Sequence, residues 1–171
     1  MRQAPARLFA ASLLALGAAG LACRAPDPKR ELAIEGLETY WAIARSARET
    51  HYLAPVVRFE LRSTGTSPLR SVQASATFRR QGEAGKDWGS AFQQLIVPRK
   101  PLPPGQHLTV VLISDTHYYT DGPPEGIFSH AQFKDARAEV FLRVGSSSWV
   151  KFGEAEVERR IGSRSVPETL R

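Results

Sequence analysis

The sequence predicts an all-β domain, a two-sheet sandwich of about seven strands, behind a cleavable N-terminal leader. Three observations carry that expectation. Several short stretches alternate apolar and polar side chains with a period of two, the pattern of strands that bury one face. Clusters of Gly, Pro, Ser and Thr punctuate those stretches at short intervals. The chain shows neither a strand–helix–strand alternation nor a repeat at any fixed period.

The leader comes first. Arg2 and Arg7 give a basic start with no acid, and Leu8 to Ala22 follows without a charge. Those 15 residues suit the apolar region of a secretory signal. They fall short of the roughly 20 that span a bilayer. The small residues Gly20 and Ala22 precede Cys23, the chain's only cysteine. Residues 1–22 are therefore expected to be a signal peptide. The stretch Ala19-Gly20-Leu21-Ala22-Cys23 resembles a bacterial lipobox, with Gly20 where that motif prefers leucine. The resemblance implies that the Cys23 thiol takes a diacylglyceryl group, that the chain is cut before it, and that the new amine is acylated by a fatty acid such as palmitate. Two or three acyl chains hold a protein on a membrane where one is marginal. A lone thiol would otherwise be a liability in an oxidising compartment. The expected address is the cell envelope, lipid-anchored and facing the periplasm. In lipoprotein families an Asp after the cysteine implies inner-membrane retention; Arg24 stands there, which favours the outer membrane.

Residues 23–31 read as the lipidated cysteine and a polar, proline-containing linker. Ile34 to Ala44 is expected to be a first strand carrying Tyr40 and Trp41, with a short helix over Ala42–Arg48 as the competing reading. Pro55 to Arg62 alternates apolar with charged residues, and Val72, Ala74, Ala76 and Phe78 alternate with Gln73, Ser75, Thr77 and Arg79. Trp88 to Val97 is a third such strand, ending at Pro98. Leu108 to Ile113, dense in Leu, Val and Ile, reads as a central, buried strand. Asp115 to Asp135 is irregular, with one helical turn expected over Ser129–Phe133. Arg137 to Val144 alternates again, and Trp149 to Ile161 closes the domain as a long strand. The expected domain is thus 32–161, followed by a disordered polar tail, 162–171.

Phe59-Glu-Leu-Arg-Ser-Thr-Gly65, Pro68-Leu69, Phe78-Arg-Arg-Gln-Gly82 and Leu102-Pro-Pro-Gly105 together resemble bacterial immunoglobulin-like lipoprotein modules of the FxLYD kind, over roughly residues 55–115. The resemblance implies an immunoglobulin-like β-sandwich. It implies no particular activity.

Composition excludes more than it assigns. Without Arg2 and Arg7 the 23 basic residues fall to 21, against 17 acids, a net charge of about +4 for the 149 residues from Cys23 onward. Most of these charges alternate with apolar residues, as on the solvated face of strands, and no basic stripe invites nucleic acid. A chain of this length buries enough surface to fold without disulfides or metals.

Candidate sites are few. Ser114, Asp115 and His117 have the residue types of a hydrolytic triad, but neighbours on an extended segment point to alternating faces. They support an envelope hydrolase or metal-dependent enzyme only as the alternative reading. Asp115, His117 and Asp121, with His51, His107 and His130, follow no metal-binding spacing. Trp41, Trp88 and Trp149 read most simply as core or sheet-face aromatics. The unusual stretch is His117-Tyr118-Tyr119-Thr120-Asp121-Gly122-Pro123-Pro124. Two adjacent tyrosines cannot both face inward on an extended chain. Tyr118, Tyr119, Phe128 and Phe133 are therefore the candidate partner-binding residues, and the competing reading has the segment plugging an open end of the sandwich. The expected function is a non-catalytic binding or assembly role in the envelope, with an envelope protein as partner and no cofactor.

Overall fold

The computed structural model describes residues 25–83 and 85–162. Eight strands occur there: β1 (Leu32–Ala47), β2 (Thr50–Ser63), β3 (Val72–Arg80), β4 (Gly89–Ile96), β5 (His107–Ile113), β6 (Tyr118–Asp121), β7 (Ala136–Val144) and β8 (Val150–Glu156). They form two antiparallel sheets. One has the order β1-β2-β5, with β6 paired to the other end of the β2 edge that β5 occupies; the second has the order β4-β3-β7-β8. The chain changes sheet between β2 and β3, between β4 and β5, and between β6 and β7. That winding is an immunoglobulin-like sandwich. In immunoglobulin lettering the sheets are A-B-E and C′-C-F-G, with nothing in the D position beside E.

The alternation read from the sequence becomes the core. Val57, Phe59 and Leu61 of β2 meet Val72, Ala74, Ala76 and Phe78 of β3 and Ala138, Val140 and Leu142 of β7 between the sheets. Their odd-and-even partners on β3 and β7 stay at the outer surface, where Arg79, Glu139, Lys151 and Glu154 form a chain of ion pairs. Exposed pairs of this kind contribute little to stability, and the core does the holding.

Four local expectations change. Ala42–Ala47 is strand, not helix, because the β1–β2 pairing continues to Ala47↔Thr50. The closing strand ends at Glu156. Residues 157–162 then leave β8 and cross to β1: the Trp41 N–H donates to the Arg160 carbonyl (2.8 Å), and the Gly162 N–H donates to the Trp41 carbonyl (2.8 Å). The polar linker is partly docked. Asp27 caps the short helix α1 (Pro28–Glu31), Pro28 is buried, and the Thr64 N–H donates to the Glu31 carbonyl (2.9 Å). Most consequentially, β5 is not central. It pairs with β2 and with no second strand among the described residues.

Cys23, the leader and residues 163–171 of the tail lie outside the described residues. No helix among the described residues is long and apolar enough to cross a membrane.

Candidate interaction surfaces

The irregular stretch 115–135 is more ordered than its composition implies. It holds β6 and a 3₁₀ helix, Pro124–Ser129, started by the Pro123-Pro124 pair; over the 129–133 stretch a single turn follows, closed by the Phe133 N–H donating to the His130 carbonyl (2.9 Å). β6 pairs with β2 through Tyr52↔Tyr119 and Leu53↔Tyr118, so the two tyrosines point to opposite faces. Tyr118 turns inward. Its ring lies 4.9 Å from Trp88, 5.7 Å from Trp41 and 5.2 Å from Phe133, and Phe128 lies 5.4 Å from Phe133. The Lys134 N–H donates to the Tyr118 hydroxyl (3.2 Å). Tyr118, Phe128 and Phe133 thus form, with Trp41 and Trp88, an aromatic plug at one end of the sandwich. Of the four candidate partner-binding residues, Tyr119 is the one left at the surface, 68% exposed, with Tyr52 as its ring neighbour.

Ser114, Asp115 and His117 diverge. The Asp115 carboxylate accepts from the Ser90 N–H (2.8 Å) and the Ser90 hydroxyl (3.0 Å). The Ser90 backbone N–H is the main reason its carboxyl sits below the usual carboxylate range. The Asp115 N–H in turn donates to the Ser90 carbonyl (2.9 Å), tying the end of β5 to β4. His117 instead packs edge-on against Tyr52 at 5.1 Å. Of the metal candidates, Asp121 accepts from the Thr50 hydroxyl (2.6 Å) and His51 pairs with Ser46 (2.9 Å). No three His, Cys, Asp or Glu residues among the described ones are placed to hold a metal ion.

The β4–β5 tie explains Gly89. A Cβ there would lie 2.3 Å from the Ser114 Oγ and 3.1 Å from the Thr116 Cβ. Gly89→Ala should therefore separate the two strand ends and cost about 1–3 kcal/mol, read as a lower denaturation midpoint at unchanged slope.

Apolar exposure gathers elsewhere. Phe92 (64% exposed), Val97 (43%) and Trp149 (38%) are three of the four large hydrophobic side chains that stand out to solvent among the described residues. Phe92 and Trp149 meet at 6.3 Å, edge to face. Phe92 and Phe141 flank Ser75 in one cross-strand row. The next row is polar: Arg143 Nε donates to Gln73 Oε1 (2.8 Å), and Gln73 Nε2 donates to Gln94 Oε1 (2.7 Å). Arg143 also lies over the Trp149 ring at 5.0 Å. Val97 begins the turn after β4, beside a groove of about 370 Å³ between the ends of β4 and β5. Phe92 and Val97 carry no mark in the sequence apart from their strand; of the three tryptophans read as core or sheet-face aromatics, Trp41 and Trp88 belong to the core and Trp149 to the sheet face. The signal that bears on Phe92 is the lack of any charged residue in Gly89–Ile96.

No family model matches the chain, and no curated protein matches it. Among solved structures it is similar to the Northeast Structural Genomics Consortium target SoR45, at 11% identity and a TM-score of 0.42 over 84% of this chain and 93% of that one. It is similar to part of β-glucuronidase 2 of Bacteroides uniformis, at 13% identity and a TM-score of 0.46 over 74% of this chain, which spans 14% of that enzyme. A protein from Archaeoglobus fulgidus matches at 9% identity and a TM-score of 0.37, over 74% of this chain and 98% of that one. At these TM-scores the immunoglobulin-like assignment rests on the strand order of the chain itself.

Proposed function

We propose that this protein is a membrane-tethered lipoprotein of the cell envelope with a non-catalytic binding or assembly role. The observation that supports this most directly is the exposed pair Phe92 and Trp149, which meet edge to face at 6.3 Å with Arg143 over the Trp149 ring, while Val97 stands exposed at the end of β4. Contiguous exposed apolar side chains mark interaction surfaces, and aromatic side chains with a nearby Arg are the residues such surfaces favour. The tether is supported by the leader that ends at Cys23. The first helix-capping residue, Asp27, follows four positions later, so that end of the domain would lie close to the membrane. Lys29, Arg30 and Arg70 are exposed there and suit anionic headgroups.

A photo-crosslinking residue in place of Val97 tests the reading in intact cells. A discrete protein adduct is expected at position 97 and none at Ala47, which is exposed at the end of β1 in the other sheet. Equal or absent adducts at both positions would remove the proposal.

A further inference from the structure

We infer that the free edge of β5 is a vacant strand position, taken up in the assembled protein by an extended segment of a partner protein. The segment carries apolar residues at every second position and is acidic at the end beside His107. This rests on the binding reading above and goes on to say how the partner is held.

The first support is a mismatch between sequence and neighbourhood. His-Leu-Thr-Val-Val-Leu-Ile has the composition of a strand with neighbours on both sides, yet among the described residues β5 has one. Its register with β2 runs from Val56↔Ile113 to Arg62↔His107 without a shift. No proline, lysine, acid or bulge interrupts it. Edge strands that end a sheet are normally blunted by such devices. The other edges among the described residues are. β6, whose one partner is β2, is four residues long and ends in Asp121. β8 carries Lys151, Glu154 and Glu156 and a register shift. β1 carries Glu35, Glu38 and Arg45, two register shifts, and the crossing segment bonded to Trp41. β4 has a register shift near Gln94. The regular, uncharged edge of β5 is the exception, and it adjoins the D position that this winding leaves empty.

The second support is the groove. Beside the start of β5, between Leu108 and the end of β4, Leu95, Ile96, Val97 and Leu102 line the opening of about 370 Å³. A strand laid along β5 sends every second side chain towards the interior, and that opening, which His107 and Leu108 line from β5, receives those beside its start. The tie between Asp115 and Ser90 closes the far end, which leaves seven residues of edge, about 24 Å of strand.

The third support selects the occupant. Lys100 and His107 line the groove and no acid does, so the complementary segment is acidic at that end. Pairing with the β5 of a second copy does not fill the opening. That β5 has already committed Leu108, Val110 and Leu112 to its own core, so it has no side chains to fill the opening.

The test uses the mature full chain in detergent and a synthetic nonapeptide of alternating valine and threonine ending in two aspartates. Hydrogen exchange of the backbone is read strand by strand. The peptide is expected to slow exchange across 107–113 by at least about tenfold, and a scrambled peptide with adjacent valines is expected to have no effect. Leu95→Lys should weaken binding about tenfold or more. Lys100→Glu, at an exposed position that does not threaten folding, should weaken the aspartate-ended peptide and favour a lysine-ended one. Protection by both peptides alike, protection of β8 or β4 in place of β5, or no protection would overturn the inference. An adduct at position 97 without protection of β5 would overturn this inference and leave the binding reading standing; loss of the adduct would remove the binding reading.

Discussion

Replacing Trp41 with alanine is expected to cost about 3–5 kcal/mol and to lower the melting temperature by roughly 10–20 °C. Trp41 is fully buried and is the centre of the aromatic plug, with ring neighbours Trp88, Tyr118, Phe128 and Phe133 at 5.3–6.4 Å. Its loss leaves a cavity that four half-buried rings cannot close without shifting. The same residue is where the C-terminal crossing segment joins β1 through its backbone, so disorder at position 41 should loosen both ends of the sandwich edge. Trp41→Phe should cost far less. The indole Nε1 finds no hydrogen-bond partner among the described residues, so removing it forfeits area but no bond. Trp149→Ala, at a 38% exposed position, should cost less than Trp41→Phe. Thermal melts followed by circular dichroism rank the three. A protein that loses more stability at Trp149 than at Trp41 would mean that the plug is not the structural centre described here.

Cys23→Ala is expected to abolish membrane retention altogether, with no change in the melt of the domain. Each buried methylene of an acyl chain contributes about 0.8 kcal/mol, so two or three chains make release negligible and none leaves nothing to hold the protein. Cells fed a clickable fatty acid should label the wild-type chain and not the variant. The variant should appear in the soluble fraction of the envelope. An unlabelled wild-type protein that still matures would contradict the lipobox reading.

The parts of the fold that were legible in the sequence are those where one face is buried and the other wet. In β3 and β7 the period of two is unbroken, and each alternate residue lies in the core. Two kinds of feature were not legible. Periodicity reports how apolar a strand is, not how many neighbours it has, and so the dense run Leu108–Ile113 read as central although it forms an edge. Nor does local pattern say where a chain leaves a sheet: Val157 and Ile161 continue the apolar spacing of β8 after the backbone has turned towards β1. Adjacency alone makes the paired tyrosines face opposite ways on a strand. Which of them would meet Trp41 depended on the register with Leu53, a contact 65 residues back in the chain that no local pattern encodes.

The Phe92–Trp149 side of the sandwich is expected to bind a partner and not to stabilise the sheet. The most direct measurement combines the crosslinking residue at position 97 with Phe92→Ser and Trp149→Ser, reading adduct yield and melting temperature on the same protein. Exposed side chains contribute little to a core, so the double variant should melt within about 4 °C of its parent while the adduct falls to background. A melt lowered well beyond that, with the adduct retained, would show that the two aromatics stabilise the sheet and that the partner, if any, is held elsewhere.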